Sequence, residues 1–135
     1  MPLNYYSYLD ASAPAMMQNS PDSLIAVLDA CLVDGYGTKS AAGWTKPFSG
    51  TAPLRAAYCQ GGSGTLRYLR VESLGTGFST NSMRAVKTRG FETMSDVDTG
   101  TNAFPSDQQM FWSVGSSSAT ANTEWLVVAD EKFFY

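Results

Sequence analysis

The sequence predicts an α+β, mainly β fold: an antiparallel sheet, or a small sandwich or barrel, of six to seven strands, with one N-terminal helix (about 21–34) packed on it. Three observations predict this class. Only one segment repeats apolar residues at helical spacing. The other apolar segments are short and are separated by glycine, serine and threonine. Charged residues make up only 16% of the chain, which favours a loop-rich β protein with surfaces that neighbours cover.

The chain divides into an arm and a domain. Residues 1–19 are predicted to form an extended N-terminal arm, in which the aromatic segment 3–9 favours a short strand and the small polar residues after it, with Pro14, favour a loop. Residues 20–135 are predicted to form a single β-rich domain. A chain of 135 residues leaves little room for two domains, and no internal repeat is visible.

The helix is predicted from its start, its apolar face and its stop. Ser20 is a capping residue, Pro21 suits the first turn, and Asp22 places a carboxylate at the positive end of the helix dipole. Gly35 ends the segment. The apolar face is expected to lie against the sheet and consists of Leu24, Ile25, Val27, Leu28, Cys31 and Leu32.

The strands follow the helix. Residues 44–48 contain Pro47, which has no N–H to donate, so this strand is predicted at a sheet edge. Residues 54–60 and 65–73 flank a glycine-rich segment and are predicted to pair as a hairpin. The apolar alternation slips between Tyr68 and Leu69, which predicts a bulge or burial on both faces. The later strands are predicted at 82–94 with a bend at Gly90, at 108–114, and, as a central-type strand, at 123–129.

The composition argues against catalysis. The chain has no histidine, which excludes Ser-His-Asp and Cys-His nucleophile systems and any imidazole base. Cys31 and Cys59 are expected on a helix face and a strand as small buried side chains, with a single disulfide as the alternative. We therefore predict no catalytic residues, no cofactor and no enzyme activity.

One segment invites a metal hypothesis. Asp96 and Asp98 alternate, and Asp107 falls where the last ligand of a twelve-residue calcium loop would lie. The glycine is one place early, the last ligand would be Asp, and no second helix follows. Asp and Asn in such segments more often bond their own backbone in turns, so no metal site is predicted.

Charge and hydropathy limit the partners. The net charge is −3 and no run of Lys or Arg exceeds one residue, so nucleic-acid binding is not expected. No segment approaches the roughly 20 apolar residues that span a bilayer, and the first residues lack the features of a secretion signal. No membrane partner is therefore expected.

Aromatic residues cluster near both ends of the chain. Tyrosine and similar side chains offer large contact areas at a small entropic cost, which makes them good anchors in protein interfaces. We predict that interface residues include Tyr5, Tyr6, Tyr8, Phe133, Phe134 and Tyr135.

Three stretches carry a family resemblance: SLIAVLDACLVDGYG (23–37), AGWTKPFSGT (42–51) and RGFETMSDVDTGT (89–101). They resemble largely uncharacterised virion structural proteins of tailed bacteriophages and prophages, and the match covers most of the chain from about residue 20. The resemblance implies a virion protein that is assembled in the host bacterial cytoplasm, with other virion proteins as partners. We expect a head decoration or cement protein that binds the major capsid protein and copies of itself. The alternatives are a tail or baseplate structural protein, and a carbohydrate-binding or cell-wall-cleaving module.

Overall fold

The structure is a computed structural model that describes residues 2–17, 22–62, 65–73, 83–106, 110–115 and 123–135. Within these ranges it has one helical segment and nine short strands, which confirms the α+β, mainly β class. The strands are β1 (Asn4–Ser7), β2 (Thr45–Thr51), β3 (Leu54–Cys59), β4 (Tyr68–Ser73), β5 (Met83–Phe91), β6 (Thr93–Met94), β7 (Gly100–Thr101), β8 (Met110–Gly115) and β9 (Leu126–Ala129).

The helix lies where the apolar face predicts it. The α-helix α1 spans Ser23–Leu28 and continues as a π-helix over Asp29–Asp34, and all six residues of the predicted apolar face are buried. The predicted capping residues Ser20 and Pro21 lie outside the described residues. At the other end, Gly35 has a φ of +77° and its N–H donates to Ala30 O at 2.8 Å. Its lack of a side chain therefore permits the predicted stop.

Five strands form one antiparallel sheet in the order β2-β3-β4-β5-β8. β2 lies at an edge, as Pro47 predicts, and β3 and β4 pair as the predicted hairpin. The register from Cys59↔Tyr68 to Tyr58↔Leu69 is continuous, so the predicted bulge is absent there and the alternative of two-sided burial is correct. Tyr68 packs in a small cluster on one face of the sheet, whereas Leu69 packs against the main core on the other.

The main core lies between the five-stranded sheet and α1. The sheet contributes Ala56, Tyr58, Val71 and Val86 to a cluster that also contains the buried side chains of α1. The opposite face of the sheet is partly covered by the segment 91–106, which contains the β6–β7 hairpin. Both faces of the sheet are thus partly protected from water.

The N-terminal residues belong to the domain. β1 pairs antiparallel with β9, from Asn4↔Ala129 to Ser7↔Leu126, and Tyr6 is fully buried in the main core. The short strand predicted within 3–9 is therefore confirmed, but this stretch is part of the domain and not of a separate arm, because backbone pairing and burial of a tyrosine hold it in place.

β9 lies in a separate small sheet and not at the centre of the main one. The residues after it turn back, so that Val128 and Tyr135 exchange two backbone hydrogen bonds of 2.8 Å, and Ala129 pairs with Phe134. We call β1, β9 and residues 133–135 together the small sheet. β9 is apolar on both of its faces. Val127 and Ala129 are buried in the main core with the helix, whereas Leu126 lies on the opposite, exposed face.

No helix within the described ranges is long and apolar enough to cross a membrane.

A buried tyrosine fixes α1 on the main sheet. The hydroxyl of Tyr58 donates to Asp29 Oδ1 at 2.8 Å and lies 3.3 Å from Ile25 O, and Lys46 Nζ lies 2.6 Å from Asp29 Oδ2. We predict that Tyr58→Phe lowers the free energy of unfolding by about 1–2 kcal/mol, because it leaves acceptors of α1 without their donor. Urea unfolding of both proteins measures this difference.

Tyr5→Phe is the matched control, because the Tyr5 side chain is 59% exposed. We expect its unfolding free energy to stay within about 0.5 kcal/mol of the parent value. Equal losses in the two variants would contradict the role assigned to the Tyr58 hydroxyl.

Candidate interaction surface

The small sheet exposes an apolar face. Residues directly opposite one another on antiparallel strands lie on the same face, so the pairings Tyr5↔Val128 and Val128–Tyr135 place three side chains in one row. Leu126 and Phe133 each lie two residues from this row and share its side. We call these five residues the outer face. Four of them are exposed large apolar residues: Tyr5 at 59%, Leu126 at 65%, Phe133 at 43% and Tyr135 at 88%.

The expected interface residues divide between this face and the core. Tyr5, Phe133 and Tyr135 lie on the outer face, as an interface requires. Tyr6 is fully buried, so it cannot serve as an interface anchor, and this part of the prediction is wrong. Tyr8 and Phe134 are partly buried against the main core, and for them the interface assignment stays a prediction. Neighbouring residues differ in burial because successive side chains of a strand point to opposite faces of the sheet.

Tyr6, Tyr8 and Phe134 instead support the outer face from below. The Tyr6 hydroxyl donates to Ser40 O at 2.7 Å, and burial raises its pKa above the ordinary value. Phe134 meets Trp44 edge to face, with 5.6 Å between ring centroids. Tyr8 is half-buried against the main core. These contacts join the small sheet to the main core.

A turn after β1 provides a further connection between the small sheet and the rest of the domain. Asp10 Oδ2 accepts hydrogen bonds from Ser7 N and from the Tyr36 hydroxyl, both at 2.8 Å. Lys39 Nζ lies 3.4 Å from Asp10 Oδ1 and donates to Tyr5 O at 2.8 Å. The Ser7 N–H and the Tyr36 hydroxyl hold the pKa of Asp10 below its ordinary value. Asp10 thus connects β1 to the segment that follows the helix.

An aromatic cleft adjoins the outer face. It has a volume of about 290 Å³ and is lined by aromatic rings and by Arg67. The rings are Trp44, Tyr68, Phe104, Phe133 and Phe134. Phe104 lies across from Gly90, where a Cβ would come within 2.2 Å of its ring. Phe133 belongs to both the cleft and the outer face, so the two surfaces are continuous.

The candidate calcium ligands form turn and ion-pair contacts. Asp96 Oδ1 accepts the Asp98 N–H at 2.7 Å, which is the local backbone bond expected of such a residue. Asp98 binds Arg55 through both oxygens, at 3.0 and 2.7 Å. Asp107 lies outside the described residues. In the part of the chain that the structure describes, no three Cys, Asp or Glu side chains converge as metal ligands would.

Both cysteines are buried and free, as the sequence predicts, so the disulfide alternative is wrong. Burial raises the pKa of the Cys31 thiol to about 12. At neutral pH this thiol is therefore protonated and a poor nucleophile.

Sequence reasoning missed Leu126, Val128 and Phe104. Both faces of β9 carry apolar residues, so the alternation of buried and exposed positions does not appear as an alternation of apolar and polar residues. Phe104 sits in a segment with no periodicity, and its position next to Gly90 follows from strand pairing. A phenylalanine placed across from a strand glycine is a known stabilising pair, but the partner is visible only in the fold.

Comparison with known proteins identifies no relative: no family model, no curated protein and no solved structure matches the chain.

The Asp10 contacts predict a pH dependence. A carboxyl whose pKa is lowered by folding stabilises the protein above its unfolded pKa of about 3.9, and this contribution disappears as the pH falls through the folded pKa. We expect Asp10→Asn to be less stable than the parent at pH 7, and the difference to narrow below about pH 4. Thermal unfolding between pH 7 and about pH 2.5 measures it. If the difference in stability between Asp10→Asn and the parent stays constant over this pH range, Asp10 does not have the stabilising role assigned to it.

Proposed function

We propose that the chain is a structural subunit of a tailed bacteriophage virion, and that it acts as a head decoration or cement protein. The observation that carries the proposal is the outer face: exposed aromatic and aliphatic side chains on a sheet that is fixed to the core. A monomer in solution gains nothing from such a surface, whereas a subunit that is covered by a neighbour buries it.

The physical requirements of adhesion support this function. Rigid aromatic anchors lose little side-chain entropy on binding, and the frame below them is already ordered. The low content of charged residues, 16%, reduces the desolvation cost of covering the surface. A standard interface of about 1,600 Å² holds a subunit stably, and many symmetric copies on one particle multiply weak contacts.

The sequence resemblance to virion structural proteins supports a place in the virion. The partners we propose are the major capsid protein and further copies of this chain. The chemistry of the chain agrees with binding and not with turnover. It contains no histidine, and its two thiols are buried.

The alternative is a tail or baseplate structural protein, which would bind its neighbours through the same outer face. Copy number distinguishes the two: a shell protein is present in hundreds of copies per particle, and a baseplate protein in few. Quantitative mass spectrometry of purified particles counts the copies relative to the major capsid protein. A glycan-binding assay on the isolated chain addresses the carbohydrate-binding alternative.

Leu126→Thr tests the role of the outer face. We expect phage particles that carry this variant to contain at least roughly tenfold fewer copies of the subunit than parent particles. The reason is that one apolar anchor contributes about 1–2 kcal/mol to each contact. Western blotting of gradient-purified particles measures the occupancy.

Leu9→Thr is the matched control, because Leu9 is also an exposed leucine, at 77%, but lies on the turn after β1. It should leave occupancy and thermal stability unchanged. The proposal fails if purified particles of the parent phage do not contain the chain. It also fails if both leucine variants are incorporated at the same copy number as the parent chain.

A further inference from the structure

The face of the main sheet turned away from α1 carries a group of cations. The strand register places Arg55 opposite Glu72 and Glu72 opposite Lys87. In the next row on the same face, Arg70 lies opposite Arg89. We call Arg55, Arg70, Lys87 and Arg89 the basic face. It lies on the side of the sheet opposite the main core, and the outer face lies on the far side of that core.

Two carboxylates of the described residues are bound to these four cations. Asp98 binds Arg55 and also lies 3.1 Å from Arg70 NH2. Glu72 binds the same Arg70 nitrogen, and its other oxygen is 3.9 Å from Lys87 Nζ, beyond hydrogen-bond distance. Asp96, which is nearby in sequence, turns back to its own backbone. Among the described residues, four cations against two carboxylates leave an excess of positive charge on this face, whereas the net charge of the chain is −3.

Among the described residues, Arg89 has no acidic partner, whereas Arg70 shares Glu72 and Asp98 with the other cations. Like charges directly opposite on adjacent strands destabilise a sheet. Arg89 donates to the neutral carbonyls of Pro105, at 3.3 Å, and Ser106, and stacks on Phe91. Arg70 Nε is buried and has no hydrogen-bond partner in the structure. Because this Nε atom is enclosed, a carboxylate from outside would reach only the exposed part of the Arg70 guanidinium group, where it would offset the repulsion between Arg70 and Arg89.

We propose that the basic face is a second contact surface of this chain, and that it binds an acidic segment of a neighbouring protein. The carboxylates of that segment would neutralise Lys87, Arg70 and Arg89 by charge-assisted hydrogen bonds. The inference rests on the proposed function, because it gives the adhesive subunit a second partner surface on a different side of the molecule.

The arrangement of charge favours a protein over a nucleic acid. Glu72 and Asp98 lie among the cations, so a continuous phosphate backbone would meet carboxylates as well as guanidinium groups. Separate carboxylates on flexible side chains avoid these two positions and still reach the arginines. The affinity for nucleic acid also depends on many clustered cations, and the described part of this face has four.

Hexaglutamate peptide is the probe. We expect the full chain to bind fluorescently labelled hexaglutamate with an affinity that falls at least roughly tenfold between about 0.02 and 0.5 M NaCl, because the contact is electrostatic. The double variant Lys87→Gln, Arg89→Gln should weaken binding by at least about tenfold. Lys87→Gln alone, which leaves the Arg89 contacts intact, should weaken it severalfold.

Arg67→Gln, Lys132→Gln is the matched control, since it removes the same charge from two positions outside the basic face: Arg67 is paired with Glu92, and Lys132 is exposed. It should change the affinity by less than about twofold if the site is local. Equal losses in both double variants overturn the proposal, and so does tighter binding of a hexathymidylate oligonucleotide than of hexaglutamate. Leu126→Thr should bind the peptide with the same affinity as the parent. The peptide assay therefore tests the basic face independently of the particle assay, which tests the outer face.

Discussion

The attachment of the small sheet to the main sheet is the contact on which the candidate surface depends. It is a close backbone approach: Gly61 N donates to Glu131 O at 2.9 Å, and Trp44 Nε1 donates to Asp130 O at 2.7 Å. A Cβ at Gly61 would lie 1.9 Å from Gly43 O, so glycine at this position permits the close approach of the segment that carries Trp44. Because these bonds fix the turn after β9, they also fix which residues of 133–135 face outwards.

Local sequence signals predicted the elements that depend on local chemistry. The apolar face of α1, the stop at Gly35, the edge position of β2 and the β3–β4 hairpin all follow from side chains within a few residues of each other. The place of β1 and β9 does not, since these strands are more than a hundred residues apart in the chain. Their pairing depends on a shared core that no local pattern specifies.

The candidate site was predictable in composition but not in orientation. Tyr5 and Tyr6 are the same residue type at neighbouring positions, yet one is 59% exposed and the other fully buried. Their sequence gives no indication of which is which, because a shift of one residue in strand register exchanges the faces. The partner of β1 settles the register: Tyr6 lies opposite Val127, and both face the core. The same ambiguity applied to Phe133 and Phe134.

The two surfaces differ in what they can bind. An apolar outer face can pack against the same face of a second copy, because no charge opposes the contact. A basic face cannot form such a symmetric contact with itself, since arginines would meet arginines, so its partner must be a different surface. A subunit with one face of each kind therefore has a defined direction in an assembly. Its apolar contact would also depend little on salt, whereas its basic contact would weaken as salt rises, so ionic strength separates the contributions of the two faces.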